Sequence, residues 1–535
     1  MELTRRGLLA GAGAVGLSAA LTGARTPAPQ AAGPAPADPD YVLLRLFNSS
    51  VFNGQISFCL GGASSYTAEV GEVMYAVNRI NAKTGNPGDP SMDPPSMGPS
   101  AQDFEVLVQE FVDLGDRLER AAQSAGKRHR VTYRQRMMRA SSYVAQSLFF
   151  VLGGTEPDNE AEYFRICQDR WLKAARMMDR PVETFAVSTT YGEVPCYFLH
   201  ATSGLGPRPT LIISSGSDGQ LVECMAFGVT AGLERGYNIV LFEGPGQMAL
   251  LFEEEMPFTP HWDQVIGPIL ERVRRRNDVG RVGLVGVSFG GMLCARAYRK
   301  LNLDATVLLP AAWNATLLWG DQKSMDIVKQ THRLPATEKA KAVAGVNEGF
   351  EQAWASMPRT AQFEIYKRGE IYSRRVLREA RAGRVPSQYY GLLEAMLPFV
   401  FDRDYRGAGA FSNPLMLTRN DGDIFFNGGS GEPPTPTTGK YDQPRYSFDL
   451  LRGLPDRKKK FVNFTLRQGA TLHDQPLAPQ FATEVMFDWL DTFLARWTSP
   501  LAPRSRERRP RDAARPTDFH RATAPAGSPG ACPAT

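Results

Sequence analysis

Ser288 lies between two glycines, in Gly286-Val287-Ser288-Phe289-Gly290. A serine hydroxyl attacks only when a base takes its proton and a carboxylate holds that base in the right tautomer. Three histidines follow it, at 332, 473 and 520. His520 falls in a Pro- and Arg-rich end and His332 in a helical stretch, so His473 is the expected base. The expected acid lies in Asn420-Asp421-Gly422-Asp423-Ile424-Phe425, after the apolar run at 414–418. Asp423 stands just before an apolar pair and is the first choice; Asp421, read as a turn-former, is the alternative. Serine, acid, histidine is the chain order of a nucleophile elbow. The chemistry would be acyl transfer through a covalent serine intermediate. Two N–H groups would face the developing oxyanion, that of Phe289 and that of Ser217 in Ser215-Gly216-Ser217-Asp218-Gly219.

The surrounding pattern says what must hold these residues. A buried run at 282–285 leads straight into an apolar helix at 291–295, and a turn that sharp needs glycine on both sides of the serine. Further apolar runs at 210–214, 238–242, 305–309, 415–418 and 461–466 alternate with helical patterns. That texture predicts an α/β fold, a mainly parallel sheet with helices on both faces. A hairpin is expected at 185–199, turned at Tyr191-Gly192. Residues 55–180 read as a helical N-terminal cap, with helices at 106–125, 135–152 and 160–178. Residues 311–412 read as a helical insertion before the acid-bearing strand, too long for a simple crossover. The core divides into 181–310 and 413–498.

Both ends differ from this body. Thr4-Arg5-Arg6-Gly7-Leu8-Leu9 and the weak apolar stretch after it match a twin-arginine export signal over 1–24, implying passage through the Tat export machinery to an extracytoplasmic location. Residues 25–54 form a Pro/Ala linker, and 499–535 a basic tail with seven Arg against three acidic residues. The ends carry about +6 against a chain total of +5, leaving the body near −1, which points to neither nucleic acid nor an anionic surface as partner. No run is long and apolar enough for a membrane span. Six scattered cysteines (59, 167, 196, 224, 294, 532) have no metal-site spacing, and no dinucleotide, flavin or metal motif is present. Oligomeric state is not legible.

Taken together, these residues resemble one branch of the α/β-hydrolase superfamily. That branch includes 2,6-dihydroxypseudooxynicotine hydrolase, fermentation–respiration switch esterase-like proteins and fungal hydrolases that shorten pigment polyketides. The likeness spans about 100–495. It rests on Leu114-Gly115-Asp116-Arg117, Arg139-Ala140-Ser141-Ser142-Tyr143, Ser217-Asp218-Gly219 with Glu223, Glu243-Gly244-Pro245-Gly246-Gln247, the elbow, Gly469-Ala470 with His473, and Phe487-Asp488-Trp489-Leu490-Asp491. The chain departs from the branch in Glu243 for Asp, Met248 for Gly and a Gly/Pro/Thr-rich insert at 427–443. The resemblance implies an α/β-hydrolase fold; in the absence of a cofactor motif, none is expected. The expected activity is a secreted serine esterase acting on a small or medium apolar acyl substrate. Carbon–carbon hydrolysis beside a ketone and aminopeptidase-like amide hydrolysis are alternatives; a lyase, cyclase or binding protein on the same fold is the other class. Glu223, Glu243, Trp313, Trp319, Phe149 and Phe150 are candidate pocket residues.

Overall fold

The first regular element begins within the expected linker, because Ser49 caps it: its hydroxyl accepts from the Phe52 N–H, and helix α1 runs Ser50–Gly61. The computed structural model describes residues 45–88, 98–201, 206–319, 322–406, 413–426 and 442–495. The export signal, most of the linker, nearly all of the 427–443 insert, His520, Cys532 and the basic tail lie outside the described residues, as does the side chain of Trp319. No described helix is long and apolar enough to cross a membrane.

Four more helices complete the N-terminal part: α2 (Val70–Thr84), α3 (Ala101–Ala125), α4 (Arg130–Phe150) and α5 (Glu160–Ala175). In α3 a capping box of Ser100 and Asp103 fixes the start. Its buried Phe104, Leu107, Val108, Phe111, Leu114 and Leu118 repeat at three-to-four spacing and form one apolar stripe. Helices α3, α4 and α5 each start at or before the position read from periodicity and stop at or before the expected end. Terminal turns are set by caps rather than by the apolar repeat.

Among the described residues eight strands follow, ordered β1-β2-β4-β3-β5-β6-β7-β8 in one sheet. They are β1 (Glu183–Thr189), β2 (Gly192–Leu199), β3 (Arg208–Ser214), β4 (Asn238–Phe242), β5 (Val279–Val287), β6 (Ala305–Leu309), β7 (Leu415–Asn420) and β8 (Lys459–Phe464). The β1–β2 hairpin and the β2–β4 pair are antiparallel. Every pairing from β4 through β3, β5, β6 and β7 to β8 is parallel. β4 and β6 are buried along their whole length, as expected of strands covered on both faces. The covering helices include α6 (Trp262–Arg274), α7 (Phe289–Lys300) and, last among the described helices, Pro479–Leu494.

Between β6 and β7 the chain is helical, and two of these helices matter for the site: α8 (Arg359–Gly369) and α9 (Arg374–Arg381). α8 reaches the N-terminal helices through Arg359. Its guanidinium donates to the carbonyls of Leu152, Gly153 and Gly154, at 3.1, 2.9 and 3.1 Å.

Candidate active site

β5 ends at Val287 and α7 begins at Phe289, so the turn between them is a single residue, Ser288. Its φ of 53° and ψ of −124° lie where non-glycine residues rarely sit. The conformation is held by its N–H, which donates to the Leu309 carbonyl at 2.7 Å. The flanking glycines answer to crowding. A Cβ on Gly286 would lie 2.5 Å from the Gly290 carbonyl oxygen, and one on Gly290 would lie 2.3 Å from that of Ser215. The loop after β3 also crosses the serine closely: a Cβ on Gly216 would come within 2.7 Å of the Ser288 Cβ.

Two loops from neighbouring strand ends bring the other partners. Ser288 Oγ is 2.8 Å from His473 Nε2, and His473 Nδ1 is 2.8 Å from Asp423 Oδ2. The other Asp423 oxygen accepts from the N–H groups of Phe425 and Phe426 at 2.8 and 2.9 Å, so this fully buried carboxylate is fixed at both ends. Asp421 points elsewhere. It accepts from Arg419 at 2.5 Å and from Asn463 at 3.0 Å. The rings of Phe425 and Phe426 flank the imidazole, with centroids 5.0 and 4.9 Å away.

Phe289, as the first residue of α7, carries one of the helix's N–H groups that has no intrahelical acceptor. In the loop after β3, Gln247 Nε2 donates to the carbonyls of Ser215 and Gly216, at 2.6 and 2.9 Å. A trans peptide points its N–H opposite its carbonyl, so the Ser217 N–H faces away from Gln247. The next residue, Asp218, is paired with Arg368 of α8, which also pairs with Glu364 at 3.3 Å. The Arg368 guanidinium lies 5.9 Å from the Phe149 ring and 5.6 Å from the Phe425 ring. The helical insertion therefore contributes a buried cation beside the loop.

The remaining pocket candidates divide. Glu223 accepts from the Gln220 N–H at 2.8 Å; burial, with Asp218 nearby, pushes its carboxyl up to about 7. Glu243 is committed to Tyr197, to Gln168 and to the Ala249 N–H, and ties β4 to its neighbours. Trp313 packs on Tyr446, with ring centroids 5.0 Å apart. Phe150 belongs to an aromatic cluster with Phe52, Phe104 and Phe363. Two residues escape a reading of the sequence. Arg368 is one of many basic residues in the insertion, and no motif marks it. Asp474 follows His473 directly, yet its Oδ2 folds back to 3.5 Å from His473 Nε2, which a strand or helix pattern cannot reveal.

Burial pulls His473 toward the neutral form, but the charges of Asp423 and Asp474 and the Asp423 hydrogen bond outweigh it, so its pKa is raised. Burial pushes Asp474 up to about 7, against the pull of the imidazole. A hydroxyl, an imidazole and a carboxylate in line, beside a helix N-terminus, can generate an alkoxide and stabilise an oxyanion.

No family profile matches the chain. The Hydrolase ORFZ of Pyricularia oryzae is 29% identical over 278 residues, covering 49% of this chain and 61% of its own. The Alpha/beta hydrolase psoB of Aspergillus fumigatus is 25% identical over 284 residues, covering 49% and 58%. The chain thus spans about 60% of the length of these curated relatives. Among solved structures, 2,6-dihydroxy-pseudo-oxynicotine hydrolase superposes with a TM-score of 0.52 at 15% identity, over 82% of this chain and 96% of that one. That likeness is one of fold, and the two relatives supply the likeness of sequence. The chain has the α/β-hydrolase fold, and its sequence is similar to curated hydrolases of that superfamily.

Proposed function

We propose that the protein is a serine hydrolase that works through an acyl-enzyme. The observation that carries this reading is the line from Asp423 through His473 to Ser288, with both links at 2.8 Å. In this mechanism Asp423 holds the Nδ1–H tautomer, so that Nε2 presents its lone pair to Ser288 Oγ–H. His473 takes that proton as Oγ attacks the acyl carbon, then gives it to the leaving group. Backbone N–H groups of Phe289 and Ser217 bind the oxyanion. A water activated by the same imidazole releases the acid and restores the serine.

A small or medium apolar acyl substrate fits the surroundings of the nucleophile. The Phe289 ring meets Tyr372 and Phe399 from the insertion, each with centroids 5.9 Å away, and Phe258 at 4.9 Å. An ester is the simplest bond for this machinery, since an alcohol leaves more readily than an amine. A fluorophosphonate probe tests the nucleophile: the wild type should be labelled at one site, and Ser288→Ala should not. An unlabelled wild type would sink the proposal. In a substrate panel of aryl esters, aminoacyl anilides and β-diketones, turnover should be highest with the esters. Preference for either other class would replace the ester reading while leaving the nucleophile in place.

A further inference from the structure

Most serine–histidine–carboxylate sites need one carboxylate, on Nδ1 of the imidazole. Here a second one stands on the other side. Asp474 Oδ2 is 3.5 Å from His473 Nε2, the atom that Ser288 Oγ approaches to 2.8 Å. Asp474 is 4% exposed, and its Oδ1 has no hydrogen-bond partner among the described residues. The backbone is bent to put it there: Asp474 has φ 59° and Gln475 φ 52°, two successive left-handed residues without glycine. Such strain persists only where the surroundings hold it. Gln475 supplies part of the hold, its Nε2 donating to the buried Asn420 Oδ1 at 2.6 Å.

We propose that Asp474 is a positioning residue that acts through His473, competing with Ser288 for Nε2 and so setting the pH at which the serine becomes a nucleophile. The proposal rests on reading Ser288 as that nucleophile. Nε2 can offer either a lone pair or an N–H. Ser288 needs the lone pair, whereas an ionised Asp474 favours the N–H. The other charges facing the pair are Asp423 from the loop after β7, Asp218 from the loop after β3, and Arg368 from α8. Arg368 is paired with Asp218 and Glu364, and Asp423 is bonded to Nδ1 and two N–H groups. The imidazole is therefore the basic group that Asp474 meets. With one proton shared between them, the imidazole and the carboxyl titrate as a pair. Loss of that proton frees the lone pair, and Oγ–H can then be deprotonated.

Fluorophosphonate reacts with the serine itself, so its labelling rate on the full chain reads this equilibrium without a known substrate. The rate is followed from about pH 5 to about pH 9, across the range where histidine titrates. Asp474→Asn removes the charge and suits a left-handed backbone. Its acid limb should move down by about one pH unit, the low end of what an opposite charge within about 6 Å contributes. Asp474→Gly, relaxed at this φ, should move the limb the same way and serves if the Asn variant misfolds. A limb that coincides in wild type and both variants, with all three labelled, overturns the role of Asp474 and leaves the nucleophile standing. A wild type unlabelled at every pH removes the nucleophile, and the proposal with it.

Discussion

At the scale of single residues, the proposed triad has two carboxylates to choose from, and their neighbours favour Asp423 as its acid. Asp423 is buried, bonded to Nδ1 and held by two N–H groups; Asp421 is bonded to Arg419 and Asn463 near the surface. Asp423→Asn would leave the imidazole in the wrong tautomer, so kcat should fall by roughly 10³- to 10⁴-fold. Asp421→Asn should change kcat by less than about threefold, because it loses only a surface ion pair. Ester turnover by the two variants checks this, and a larger loss in Asp421→Asn would reverse the assignment. The pentapeptide around Ser288, the order of acid and base, and the preference for Asp423 come from residue type alone, and the structure brings these three residues within hydrogen-bonding distance. Met248 was legible as a departure, where the resembling branch carries glycine, but not for its consequence: a buried side chain on a backbone with φ 46°.

At the scale of elements, local pattern served well where a segment's own neighbours decide its shape. The buried strands and the stripe of α3 were readable because burial on one or both faces imposes period and composition. Contacts between segments far apart in the chain were not, since no periodicity encodes them. Arg368 reaching Asp218, and Arg359 reaching 152–154, are of this kind. Arg359 fills the end of the turn after α4 with three charge-assisted hydrogen bonds, and burial lowers its own pKa. Its replacement by Met keeps the apolar stem and leaves three carbonyls without their donor. Each buried polar group left alone costs about 1 to 3 kcal/mol, part of it recovered by water. Arg359→Met should therefore destabilise the protein by on the order of 3 kcal/mol in urea unfolding. A loss well below about 1 kcal/mol would mean that the junction is already wet.

At the scale of the whole molecule, the N-terminal helices and the insertion meet over charges that no single segment would reveal. Glu160, which opens α5, is fully buried and accepts from Arg381 of α9 at 2.8 Å. Lys367 of α8 lies 3.8 Å from Glu160 and 2.8 Å from Glu370, all three buried. The Glu370 carboxyl has the Lys367 ammonium on one side and the Glu160 carboxylate on the other. Burial, with Glu160 close by, raises the Glu370 pKa well above the ordinary carboxylate range, against the opposing pull of Lys367. A raised folded-state pKa means that the folded protein holds a proton the unfolded chain has already released. The stabilisation is complete below the unfolded pKa and drains away as pH rises toward the folded one, by up to about 1.4 kcal/mol per pH unit. Glu370→Gln keeps the shape and cannot ionise. Its melting temperature should thus gain on the wild type as pH increases from about 5 to about 8, by a few degrees per unit at most. A constant offset between the two across that range would show that Glu370 stays in one protonation state, and that the junction between cap and insertion is insensitive to pH.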